Sequence, residues 1–167
     1  MMHYILDQVQ LLRDRYHTSC PETLAAELGI DIQHHALGSL KGYYLVDRKR
    51  RFIVLNNNLD EGMRQLVCAH ELGHDRLHQE LAGFTVWHEW NLFNPRSKAE
   101  REANLFAAEL LIPDLEIHSL LNQGLSLETI SKCLAQPVDL VLFKIQALRM
   151  TGWMIELPWA MNSGFLG

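Results

Sequence analysis

The chain has 167 residues, 48% of them hydrophobic, which is enough to bury one core and short for two domains. Its 15 basic and 20 acidic residues leave a formal charge of −5, which argues against a protein held mainly by nucleic-acid phosphates. Cys20, Cys68 and Cys133 have no C-x-x-C spacing and suit reduced thiols in a cytoplasmic protein, and no run reaches the roughly 20 apolar residues that cross a bilayer.

At the amino terminus Ile5, Leu6, Val9, Leu12 and Tyr16 recur at helical spacing, while Asp7, Gln8 and Gln10 interrupt any signal-peptide core. Pro21 opens a second short helix that Gly29 ends. "IDIQHHAL", "GYYLV" and "RFIVLN" read as strands, the last two forming a hairpin across the charged turn Asp47 to Arg50, so a small antiparallel sheet is expected. Asn57 or Asn58 then caps a helix whose first turn holds Asp60 and Glu61 and which runs to about Gln79. The stretch 83–95 has no clean period and concentrates Phe84, Trp87, Trp90 and Phe93, an aromatic loop. "KAEREANLFAAELLIP" is a strong helix stopped by Pro113; Asp114 caps another that ends near Gly124, Ser126 starts a third, and a last helix runs from about Val138 to Met150.

The chemistry concentrates in "VCAHELGHDRLHQE", where His70, Glu71 and His74 stand in the order H-E-x-x-H. With about 100° between successive helical positions, Met63, Leu66, Val67, Gly73 and Leu77 form an apolar stripe with His70 and His74 in its middle and Glu71 at its edge. Their i, i+4 spacing stacks the two imidazoles so that both can bind one ion, and Glu71 can reach a water there without being a ligand. A zinc peptidase requires a third protein ligand. On the downstream helix Ala99, Ala103, Phe106, Ala107, Leu110 and Leu111 mark the buried face; Glu100 lies within it, and Glu102 and Glu109 lie nearly opposite. The rival explanation of a buried Glu100 is an arginine partner, Arg64 or Arg96. Asn104, one turn after Glu100, is placed to hydrogen-bond the free ring nitrogen of a ligand histidine. His78 continues the row from the stripe's edge, as packing or support more than as a ligand. Tyr43, Tyr44 and His88 have the chemistry to hold an oxyanion.

"HELGH" within "FIVLNNNLDEGMRQLVCAHELGHDRLH", followed by "EREANLFAAELLIP", resembles the ImmA/IrrE family of bacterial, phage and mobile-element metallopeptidases, best from about Gly42 to Pro113. The resemblance implies that His70, His74 and Glu100 hold zinc and that Glu71 is the catalytic base. It implies hydrolysis of a peptide bond in a protein substrate, such as a phage or mobile-element repressor. The fold expected is α+β: one minimal zincin-like domain over residues 1–167, with N-terminal helices to residue 30, a sheet and metal-binding helices over 31–113, and a helical tail from 114. Two other classes fit parts of the pattern. One is a metal-holding regulator that binds a protein without cutting it. The other is a DNA-binding regulator using "LETISKCLAQPVDLVLFKIQAL", whose second helix carries only Lys144 and Arg149.

Overall fold

Residues 2–79 and 97–155 are described by the computed structural model. Helices α1 (Met2–Tyr16) and α2 (Pro21–Glu27) lead into strands β1 (Ile30–His35), β2 (Gly42–Asp47) and β3 (Arg50–Asn56), followed by helices α3 (Glu61–His78), α4 (Lys98–Leu111), α5 (Asp114–Asn122), α6 (Leu127–Leu134) and α7 (Val138–Met150). This is an α+β architecture consistent with a zincin-like domain. Among the described residues no helix is long and apolar enough to cross a membrane. The aromatic stretch 83–95, with His88 and Arg96, lies outside the described residues.

Gly29, at φ +71°, turns the chain out of α2 in a conformation that a side chain disfavours. The expected hairpin forms: β2 and β3 pair antiparallel from Gly42↔Leu55 to Asp47↔Arg50 across a two-residue turn in which Arg48 and Lys49 both have positive φ. The sheet is nevertheless mixed, which corrects the all-antiparallel expectation. Its order is β1-β3-β2, and β1 runs parallel to β3, from Ile30↔Arg51 to His35↔Asn56. Burial gives the reason: Ile53, Val54, Leu55 and Asn56 are all buried, so β3 takes the central place. The tight turn reverses β3 relative to β2, and β1, directed opposite to β2, then runs alongside β3.

Asn56 ties down the approach to α3. Its Nδ2 donates to the carbonyls of Gly38 and Leu40 at 3.0 and 2.7 Å, and its Oδ1 accepts from the backbone N–H of Asn58 at 3.2 Å. The α3 cap is therefore Asp60, which accepts from the Met63 N–H at 2.8 Å, in place of the expected Asn57 or Asn58. Pro113, not Asp114, occupies the cap position of α5, so Asp114 becomes its first helical residue.

Helices α3 and α4 pack together closely because Gly73 has no side chain. A Cβ there would sit 3.1 Å from Ala103 Cα and 3.2 Å from Phe106 Cβ. Gly73→Ala is therefore expected to lower the melting temperature: overpacking of about 1–3 kcal/mol outweighs a helix-propensity gain of ~1 kcal/mol. A thermal scan checks it.

On its other sides α4 meets α1 and α7. Glu102 and Glu109, expected opposite the buried face, are therefore themselves buried, because a helix covered from three directions has little exposed side left. Arg13 of α1 donates to the carbonyls of Glu109 and Leu110 at 2.8 and 3.2 Å, satisfying acceptors at the end of α4. From α7, the fully buried Lys144 reaches Glu109 Oε2 at 2.5 Å and also bonds Asp114. Leu140, Val141, Leu142, Phe143, Ile145 and Leu148 are buried beside it, so the helix that a DNA reader would need is packed inside.

Candidate metal centre

From Leu66 to Asp75 every residue of α3 is buried, and His70, Glu71 and His74 have no exposed surface. The two imidazoles meet edge to face with ring centroids 4.8 Å apart, and their Nε2 atoms are 3.0 Å apart. Ser97 caps α4 by accepting from the Glu100 N–H at 3.3 Å, which sets Glu100 in the first turn facing α3. Its Oε2 lies 3.4 Å from His70 Nε2 and its Oε1 3.6 Å from His74 Nε2. These are the three groups that the sequence places on facing sides of two helices, and one donor atom from each falls within 4.8 Å of the others.

The opposite ring nitrogens are also engaged. His70 Nδ1 lies 2.8 Å from Asn104 Oδ1, and His74 Nδ1 lies 3.2 Å from His78 Nδ1. An amide oxygen only accepts, so His70 Nδ1 donates, and in the neutral tautomer this leaves the Nε2 lone pair facing the cluster. Burial, reinforced by the neighbouring His70 and His78 and opposed by Glu100, lowers the His74 pKa to about 4, so this ring is neutral at pH 7. Two imidazoles and a carboxylate are the donor set of a catalytic zinc site. Ligands on one tetrahedral ion at about 2.0–2.1 Å lie roughly 3.4 Å from one another, and the separations of 3.0, 3.4 and 3.6 Å fit that spacing.

The neutral His74 has a consequence for stability without metal. Its pKa falls from about 6.5 in the unfolded chain to about 4 in the folded one. Its contribution is therefore fully present above the unfolded value and is lost as pH drops towards the folded one. Metal-free protein should lose on the order of 3 kcal/mol across that window. Urea unfolding at about pH 7 and pH 4.5 measures it, and His74→Asn should remove this part of the slope.

Other sequence candidates fall elsewhere. Arg64 pairs with Glu22 at 2.8 Å and with Glu61, which leaves it no role as the arginine partner of Glu100. Tyr44 is fully buried and donates to Asp75 Oδ1 at 2.8 Å, while Arg51 meets both Asp75 oxygens at 3.1 Å. Tyr44 therefore joins β2 to α3 and is not placed to meet an oxyanion. Tyr43, next to it, is half-buried. Periodicity gave no sign of the Asp75 bracket, although an acid directly after the second histidine on a buried helix implies a partner. The strand "RFIVLN", considered as a neighbour for an extended substrate, is β3 and is paired on both sides; among the described residues β1 and β2 are the outer strands, and β2 also packs against α3.

Comparison with known proteins gives this geometry a family. Residues 25–137 match the model of the IrrE N-terminal-like domain, a metallopeptidase family. The chain belongs to the ImmA/IrrE family. It is 37% identical over 140 residues to "Uncharacterized immunity region protein 2" of Bacillus phage phi105, covering 81% of this chain and 85% of that protein. It is 32% identical over 123 residues to "Metallopeptidase ImmA" of Bacillus subtilis (strain 168), covering 71% of this chain and 70% of that protein. The ImmA/IrrE match runs from within α2 to Pro137 and so takes in the sheet, α3 and α4.

Proposed function

We propose that this chain is a zinc-dependent endopeptidase of the cytoplasm that cuts a regulatory protein, such as a phage or mobile-element repressor. The observation that supports it most is the meeting of His70, His74 and Glu100 with Glu71 on the same buried turn. His70 and His74 through Nε2, and Glu100 through its carboxylate, would hold the ion. Bound there, zinc supplies a Lewis acid and a water of pKa about 7. Glu71 accepts the proton of the attacking water and returns it to the leaving amine. Asn104 holds His70 in the required orientation from the far side of the ring. An extended segment of substrate can add alongside β2, which among the described residues is an outer strand and packs beside α3.

The similarity to an immunity-region protein of a phage and to a protein named metallopeptidase ImmA supports a regulatory target over general degradation. Two measurements test the proposal: elemental analysis of the purified protein, and mass spectrometry after incubation with the repressor encoded beside its gene. Zinc near one per chain and a single chelator-sensitive cut are expected. A repressor left intact by zinc-loaded protein would overturn the substrate assignment, and a protein that takes up no zinc would overturn the site.

A further inference from the structure

We infer that His78 and Glu102 are positioning residues that act on the metal through His74, an assignment that rests on the zinc site proposed above. His78 lies one helical turn beyond His74, with the ring centroids 5.3 Å apart and the two Nδ1 atoms 3.2 Å apart. On its other side His78 Nε2 lies 3.0 Å from Glu102 Oε2. His78 is 8% exposed and Glu102 9%, so both polar groups have left water and are kept by their contacts.

The chain of contacts has one consistent direction of donation. A carboxylate accepts only, so His78 Nε2 carries the hydrogen given to Glu102. In the neutral ring the lone pair is then on Nδ1, where it accepts from His74 Nδ1–H. His74 is left with its Nε2 lone pair turned towards His70 and Glu100, as a metal ligand requires. A carboxylate behind a histidine fixes the tautomer and orientation of a ligand and raises its basicity; here a second histidine carries that influence across one turn. The two ligand histidines thus have different supports, an amide for His70 and an imidazole–carboxylate pair for His74. Lys98, one turn before Glu102, lies 3.7 Å from Glu102 Oε1.

The test is zinc affinity by equilibrium competition with a chromogenic chelator, together with the absorption spectrum of cobalt-loaded protein; neither requires a substrate. His78→Leu should weaken zinc binding about 10- to 100-fold and alter the cobalt spectrum. His78→Gln, which restores an acceptor for His74 Nδ1–H, should recover part of that affinity. Glu102→Gln should weaken binding less than His78→Leu, and the double variant His78→Leu/Glu102→Gln should bind no more weakly than His78→Leu alone. Wild-type zinc binding matched within twofold by both His78→Leu and Glu102→Gln would overturn the assignment while leaving the site intact, as would additive losses in the double variant. If wild-type protein itself takes up no zinc, the site proposal fails first and takes this one with it. Should His78→Leu not fold, the comparison of Glu102→Gln with wild type decides.

Discussion

Glu71→Gln should bind zinc as tightly as the wild type and lose about 10²- to 10⁴-fold in the rate of peptide cleavage, the span of general acid–base contributions. Glutamine keeps the shape of a side chain that has no exposed surface, so the packing of α3 changes little. What it loses is the ability to take up a proton. Single-turnover cleavage with excess enzyme, read beside zinc content, separates the outcomes. Loss of cleavage with zinc retained identifies Glu71 as the base; undiminished cleavage rejects that role. A regulator that binds its target without cutting would be indifferent to the change.

The second large effect lies on the far side of α4. Lys144→Met should cost about 3–5 kcal/mol, the range for removing one member of a buried ion pair. In a chain of this length that lowers the melting temperature by roughly 10 °C. The loss comes less from the missing attraction than from Glu109, which stays 6% exposed with its ammonium gone. Arg13 Nη1, 4.0 Å from Glu109 Oε1, is a weaker replacement, since the same guanidinium already donates to two backbone carbonyls. Asp114, with 43% of its side chain exposed, can return to water. Adding Glu109→Leu should therefore recover most of the stability, an opposite-sign coupling that urea unfolding of the two single variants and the double variant would resolve. Equal, additive losses would show that the pair is not the source of the effect.

Where a pattern is local, the sequence carried it. The i, i+4 histidines and the alanine-flanked Glu100 can be placed by rotation about two helix axes, and the structure brings their donor atoms together. Ser126 caps α6 for the same local reason, accepting from the Thr129 N–H at 3.2 Å. Where neighbours decide, the pattern ran out. Helical angles put Glu102 and Glu109 towards solvent, but α1 and α7 cover that side of α4; Glu109 is met by Lys144 of α7 and Arg13 of α1, and Glu102 by His78 of α3. Strand pairing likewise depends on which strand is most buried, so the hairpin was legible and the parallel seating of β1 was not. Tyr44 had the right chemistry for the reaction and the wrong surroundings, because Asp75 holds its hydroxyl.

The setting of α4 bears on how the proposed site behaves without its ion. Its carboxylate arm is clamped by apolar contacts from α1, α3 and α7 and by a buried ammonium, none of which draws on the ion. In small zinc modules metal uptake and folding are a single equilibrium; here α4 is held by packing of its own, so treatment with a chelator should leave the fold intact and able to take the ion up again.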